Sequence, residues 1–123
     1  MDERDPLTEQ VIGAAIEVHQ ALGPGLLESA YENCLAHEMT NRSIPFTRQV
    51  ALPLEYKGVR LDCGYRIDFV VASSVVIELK SVEAIDPIHL AQLLTYLKLG
   101  GWRLGLLINQ RAVLKHGIRR MIL

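Results

Sequence analysis

Two carboxylates and an ammonium fall close together in a largely apolar stretch: Asp68, Glu78 and Lys80, within the run from Tyr65 to Lys80. The run reads as two apolar strands joined by a short polar turn. With the turn centred on Ser73, Asp68 lies directly across from Glu78. Side chains alternate along a strand, so Glu78 and Lys80 share a face and Asp68 joins them as the cross-strand partner. Ile67, Phe69, Val71, Val75, Ile77 and Leu79 line the opposite, apolar face. Two carboxylates on facing strands can hold a hard divalent cation such as Mg²⁺ through oxygen ligands. A cation there polarises a phosphoryl oxygen and lowers the pKa of a bound water. The Lys80 ammonium then orients that water or neutralises charge on a pentavalent transition state. Together these are a minimal outfit for metal-assisted phosphodiester hydrolysis. A solvated Glu-x-Lys strand facing a cross-strand acid accounts for the same three residues, and periodicity alone favours that plainer reading.

Positioning those side chains requires the elements on either side. Asp5-Pro6 predicts a capped helix start, with Thr8 as the alternative cap, and Leu7, Val11, Ala15, Val18 and Leu22 form its apolar stripe up to Gly23-Pro24-Gly25. A second helix is expected from about Leu26 to Asn41. Leu27, Ala30, Cys34 and Leu35 form its buried side, with Tyr31 and Met39 beside them. Glu28 stands in its first turn, where the helix dipole favours a carboxylate, and Tyr31 lies three residues on, over the same face. From Phe46 to Tyr56 the pattern alternates, with Arg48 the exception on the apolar side and Pro53 marking an edge or a bulge. Lys57-Gly58 is a tight turn. The strand after it, Val59 to Val71, puts Val59, Leu61, Cys63, Tyr65, Ile67, Phe69 and Val71 on one apolar face. Asp86-Pro87 begins a third helix that runs to Leu99, with Leu90, Leu93, Leu94 and Leu97 inward and His89, Gln92 and Tyr96 on a separate polar stripe. Gly105 in the short strand Arg103 to Ile108 suggests close packing by a neighbour. Strand, helix, strand over this distance is a crossover, which makes that strand parallel to the Glu78 strand. Leu114 to Gly117 reads as a turn into a last strand, Ile118 to Leu123. The expected fold class is α+β (α/β), in the order ααβββαβ(β): a mixed central sheet flanked by helices.

Length bounds the rest: 123 residues suit one domain, residues 1–123. A hydrophobic fraction of 50% supplies a core and argues against disorder. No apolar run reaches the roughly 18 residues of a membrane span, and the acidic start, Met1 to Pro6, is unlike a secretory signal. A cytoplasmic location is therefore expected, with Cys34 and Cys63 as reduced, buried thiols. The net charge of −1 excludes bulk attraction as the means of binding nucleic acid. The nearest basic cluster, Arg111, Lys115, Arg119 and Arg120, is read as a solvated face. The large apolar fraction leaves room for a homodimer.

The ordered set of motifs resembles a known family. Asp68 followed by Glu78-Leu79-Lys80, on a three-strand meander after a helix and before a crossover helix, is similar to the PD-(D/E)xK nuclease superfamily and its restriction-endonuclease-like core. Ile67 stands where the superfamily's name places a proline. Gln92-Leu93-Leu94-Thr95-Tyr96 resembles the QxxxY element of the RecB-like branch. Gly25-Leu26-Leu27-Glu28-Ser29-Ala30-Tyr31 resembles the signature of the small bacterial family called GxxExxY proteins. The resemblance implies a Mg²⁺- or Mn²⁺-dependent enzyme acting on nucleic acid, DNA first. It implies Asp68, Glu78 and the Leu79 carbonyl as metal ligands and Lys80 serving the attacking water. Glu28 would be a further ligand or an orienter of the site. Gln92 and Tyr96, with Tyr31, would contact nucleic acid or support the loops around it.

Plainer readings stand beside these. His89 near a helix start suits a capping residue. Tyr31 and Tyr96 suit core tyrosines with a bonded hydroxyl. Trp102 suits an anchor for the last strand. Arg48 is expected either to pair with a site carboxylate or to lie at a subunit contact. The rival to an enzyme is a binding or regulatory module that keeps the nuclease fold without turnover, in line with the small size and the lack of a basic surface.

Overall fold

The computed structural model describes residues 5–111 and 117–123. The elements run α1 (Pro6–Leu22), α2 (Glu28–Asn41), β1 (Phe46–Tyr56), β2 (Val59–Val71), β3 (Val75–Lys80), α3 (Pro87–Gly100), β4 (Leu104–Asn109) and β5 (Ile118–Ile122). The five strands form one sheet in the order β1-β2-β3-β4-β5. Only β3 and β4 are parallel, as the crossover through α3 demands. Of the turn expected at Leu114 to Gly117, residues 114–116 lie outside the described residues. None of the described helices is long and apolar enough to cross a membrane.

Helices cover both faces of the sheet. Val11, Ala15 and Val18 of α1 and Tyr31, Leu35 and Met39 of α2 pack with Phe69, Val71, Ile77, Leu79 and Leu106 on one side. Leu93 and Leu97 of α3 pack with Ile67, Val70, Val76 and Leu107 on the other. Sandwiched this way, β3 and β4 are buried on both faces, which is why Leu104 to Ile108 reads as continuous rather than alternating. Gly105 is the point of closest approach: a Cβ there would stand 2.8 Å from Leu93 Cδ1. The Asp5 carboxylate caps α1, accepting from the Thr8 backbone N–H at 3.2 Å and from its hydroxyl at 2.8 Å, so Asp5 is the cap and Thr8 its buried partner. At α3 the Asp86 N–H donates to His89 Nδ1 at 3.1 Å, half of a reciprocal cap that accounts for the histidine. Lys57 and Gly58 both take positive φ, 50° and 80°, the geometry of a two-residue hairpin turn.

Several expectations fail for identifiable reasons. The α2 helix starts at Glu28 rather than Leu26, and Leu27 is 76% exposed instead of buried, because it precedes the first helical residue and points off the packed stripe. Leu22, at the last turn of α1, is also exposed. In β2, Val59, Leu61, Cys63 and Tyr65 are exposed. The β1–β2 hairpin outruns β3, so its far half has no third strand beside it, although Tyr65 still meets the Tyr96 ring of α3. Cys63 is thus a free, exposed thiol, not a buried one. Ile67 lies on the α3 side of the sheet, opposite Phe69 and Val71, so alternation breaks at Asp68.

Candidate active site

The register of the β2–β3 hairpin decides whether the acids meet. Pairing runs Phe69↔Ile77, Val70↔Val76 and Val71↔Val75, and the same register sets Asp68 opposite Glu78. The paired ladder itself stops at Phe69↔Ile77. The Leu79 N–H, which a continued ladder would direct at Ile67, donates instead to Asp68 Oδ2 at 2.8 Å. The carboxylate therefore replaces a backbone acceptor where the two strands part, and a cavity of about 150 Å³ opens in the gap.

Every element near that gap contributes a wall. Strand β2 supplies Arg66 and Asp68, β3 supplies Glu78, Leu79 and Lys80, α2 supplies Glu28 from its first residue, and α3 supplies His89, Gln92, Leu93 and Tyr96. Asp68, Glu78, Leu79, Lys80, Glu28, Gln92 and Tyr96 are thus brought together around one hollow. Tyr31 is not. It is fully buried, and its hydroxyl donates to the Ala15 carbonyl at 3.1 Å. Burial raises its pKa far above the ordinary tyrosine value, followed by a smaller effect of Cys34. A side chain without exposed surface cannot touch nucleic acid, so Tyr31 acts only as a strut that pins α2, and with it Glu28, against α1.

Acid outweighs base in the hollow. Glu78 is 8% exposed, and burial pushes its carboxyl up to about 9. A hydrogen bond with the Asp68 carboxyl and that group's charge add to the rise, while the Asp68 backbone N–H and Lys80 oppose it. Glu28 is raised first by partial burial and then by Asp68, with Lys80 pulling it down and Glu32 adding a little. Burial also raises the Tyr96 hydroxyl, followed by Glu78, Tyr65 and Asp68. Among the described residues no three His, Cys, Asp or Glu side chains are grouped so as to enclose a metal. What the gap does offer is two carboxyl groups in contact and the backbone of Leu79, with open space beside them. A hard cation completed by water and phosphate oxygens suits such a set better than a full side-chain cage would require.

One feature of the site has no counterpart in the motifs. Gln49, on β1, holds φ at 51° although it is not glycine. Its amide nitrogen donates to Glu32 Oε1 at 2.8 Å and to Asp68 Oδ1 at 3.3 Å. Glu32 is held in turn by Arg48, whose Nε and a terminal nitrogen reach Oε2 at 3.0 and 2.8 Å. Arg48 therefore pairs with an α2 acid behind the site rather than with a site carboxylate, and its guanidinium carbon lies 5.9 Å from the Phe69 ring centre. The sequence does carry the polar residues of this chain, but no spacing rule singles them out.

A family model described as PD-(D/E)XK nuclease superfamily matches residues 5–121. No curated protein and no solved structure matches the chain.

Proposed function

The chain belongs to the PD-(D/E)XK nuclease superfamily, and from that premise we propose that it hydrolyses DNA phosphodiester bonds with a divalent cation, Mg²⁺ or Mn²⁺. Asp68, Glu78 and the Leu79 carbonyl would hold the ion. The observation that carries this reading is the crowding of Asp68 and Glu78 in the wall of a cavity that Lys80 also lines: burial and then Asp68 raise the Glu78 carboxyl to about 9, and a cation held between the two acids would offset that cost. A bound cation would supply Lewis-acid polarisation of the phosphoryl oxygen and a more acidic water. The remaining chemistry belongs to the chain. Lys80 faces the same hollow, where its ammonium can hold the attacking water and offset charge on the transferred phosphoryl group. Glu28, at the free N-terminus of α2, serves as a further oxygen ligand or fixes the water's orientation. Gln92 and Tyr96, on the opposite wall, contact the nucleic-acid phosphate or hold the site's far side. The finer placement, in the RecB-like branch and among GxxExxY proteins, rests on Gln92/Tyr96 and on Gly25/Glu28 and is part of the same proposal.

A panel of single-stranded DNA, duplex DNA and RNA, incubated with Mg²⁺ or Mn²⁺, tests the reading. Wild type is expected to cleave DNA only with a cation present. Asp68→Ala, Glu78→Ala and Lys80→Ala are expected to keep their circular dichroism and lose cleavage. Equal activity in wild type and Glu78→Ala would refute the site.

A second reading, a non-catalytic nuclease-fold binding or regulatory module, is favoured by one observation: both Asp68 oxygens already accept hydrogen bonds within the fold. Calorimetry separates the two, since that module has no need to bind millimolar Mg²⁺ or Mn²⁺. The expected homodimer is also a proposal, checked by sedimentation.

A further inference from the structure

A second hollow, of about 190 Å³, adjoins the first. Tyr65, Ile88, Ala91, Gln92, Thr95 and Tyr96 line it. Gln92 and Tyr96 line both, so the two share a wall. Their linings differ. The first is ringed by Arg66, Asp68, Glu78, Lys80 and His89, all polar. The second is built on apolar and aromatic surface with no charged side chain in its wall. Tyr65, 38% exposed, comes from the part of β2 that outruns β3, and Ile88, 58% exposed, from the first turn of α3. The Tyr65 and Tyr96 rings lie 5.8 Å apart, tilted by 57°, which leaves an aromatic surface facing the hollow. Thr95 donates its hydroxyl to the Ala91 carbonyl at 3.0 Å, so its oxygen is left as an acceptor at the rim beside the exposed Gln92 amide.

A polar chamber next to an aromatic one has the two halves of a nucleotide: a charged phosphate and a flat base with polar edges. We infer that the second hollow is a stacking site for an unpaired nucleobase of the strand whose phosphate occupies the first, which makes the substrate single-stranded or locally unpaired nucleic acid. This rests on the phosphodiesterase reading above and narrows its substrate. In a duplex both faces of a base are covered by its neighbours, so only an unpaired base can lay a face on Tyr65 and Ile88. The electrostatics point the same way. A chain with a net charge of −1 draws little affinity from the phosphates of a duplex, whereas aromatic stacking needs no charge and tolerates every base.

The test measures binding and cleavage side by side on the full chain. Binding is followed in Ca²⁺, which takes the same oxygen ligands with looser geometry, using a single-stranded oligonucleotide carrying 2-aminopurine and its duplex. Wild type is expected to bind the single strand more tightly than the duplex and to quench the 2-aminopurine. Tyr65→Ala should weaken single-strand binding about tenfold and abolish the quench, with duplex binding unchanged. Tyr65→Phe should retain both. Ile88→Ala gives a second probe of the same surface if Tyr65→Ala does not fold. The inference is overturned if Tyr65→Ala and Ile88→Ala bind the single strand as wild type does. It is also overturned if wild type sediments as a dimer that either substitution dissociates, since a second copy then covers the hollow. Should wild type cleave DNA while these variants behave normally, the stacking site falls and the nuclease reading stands. Should wild type neither bind nor cleave any substrate, both fall.

Discussion

Burial and the adjoining Asp68 carboxyl hold the Glu78 pKa near 9, so at neutral pH the cation-free protein carries a proton there. The consequence for stability has a definite sign. Below about 4.5 both folded and unfolded chains are protonated at this position. Between 4.5 and about 9 only the folded chain holds the proton, so stability falls with each step up in pH; above 9 the loss is complete. Glu78→Gln, which stays neutral, is expected to melt at the same temperature as wild type near pH 4 and several degrees higher at pH 8. The difference is on the order of 1–3 kcal/mol. Adding Mn²⁺ at pH 8 should raise the melting temperature of wild type and not of Glu78→Gln. A wild type more stable than Glu78→Gln at pH 8 without cation would contradict the assignment. Gln49 bears on the same carboxylate pair from β1. Its left-handed backbone costs about 1 kcal/mol or more, and its amide holds one Asp68 oxygen while the Leu79 N–H holds the other. Gln49→Gly relieves the strain and removes the amide, so stability should change little. Mn²⁺ affinity should fall by roughly tenfold, the usual effect of losing a group that orients a metal ligand. Calorimetric titration reads this directly, and an unchanged affinity would mean that Asp68 needs no such guide.

Helix α2 brings Glu28 to the cavity only because its other face is pinned. The Tyr31 hydroxyl, bonded to the Ala15 carbonyl, is part of that pin, along with the buried contacts of Leu35 and Met39 against α1 and the sheet. Tyr31→Phe keeps the ring and loses one buried hydrogen bond. It is expected to cost about 1 kcal/mol in denaturant unfolding while leaving cleavage within twofold of wild type. A collapse of activity with unchanged stability would show that the hydroxyl serves substrate after all. The hairpin of β1 and β2 is the other element whose shape matters. Near the turn, Tyr56↔Val59 and Leu54↔Leu61 follow the register that Lys57-Gly58 sets; past Leu52↔Tyr65 the pairing has slipped by two residues. Pro53 sits in the slip and Gly64, at φ 77°, faces it across the pair. Without the slip Gln49 would face Arg66; with it Gln49 faces Asp68.

For the molecule as a whole, charge is the controlling quantity. At a net charge of −1, with 13 Lys and Arg balanced by 14 Asp and Glu, little net positive charge is left to attract phosphates. Binding to a single-stranded oligonucleotide in Ca²⁺ should therefore depend only weakly on salt. At about 0.7 per neutralised phosphate for single strands, two to four contacts give a log–log slope between roughly −1.5 and −3. A slope steeper than about −5, read from fluorescence titrations across KCl concentrations, would contradict this reading and point to binding through a basic patch.

Much of this architecture is legible in the chain before it folds. Asp-Pro starts and glycine stops mark α1 and α3, apolar periodicity marks α2 between them, and the turn at Ser73 alone puts Asp68 opposite Glu78, because hairpin register follows from a tight turn by counting. Gly105 likewise announces the close approach of α3. Tertiary structure decided the rest. Whether an apolar strand residue is buried depends on what lies beneath it, so Tyr65 and Leu61 stay exposed where β2 outruns β3. Gln49 faces the Asp68 carboxylate only through a two-residue slip whose length no local pattern encodes, and alternation reverses at Asp68 where Gln49 opposite it takes a left-handed backbone. The acidity of the cavity is collective in the same sense. Glu78 holds its proton because the folded chain excludes water and brings Asp68 beside it, and neither condition exists until the sheet and its helices have assembled.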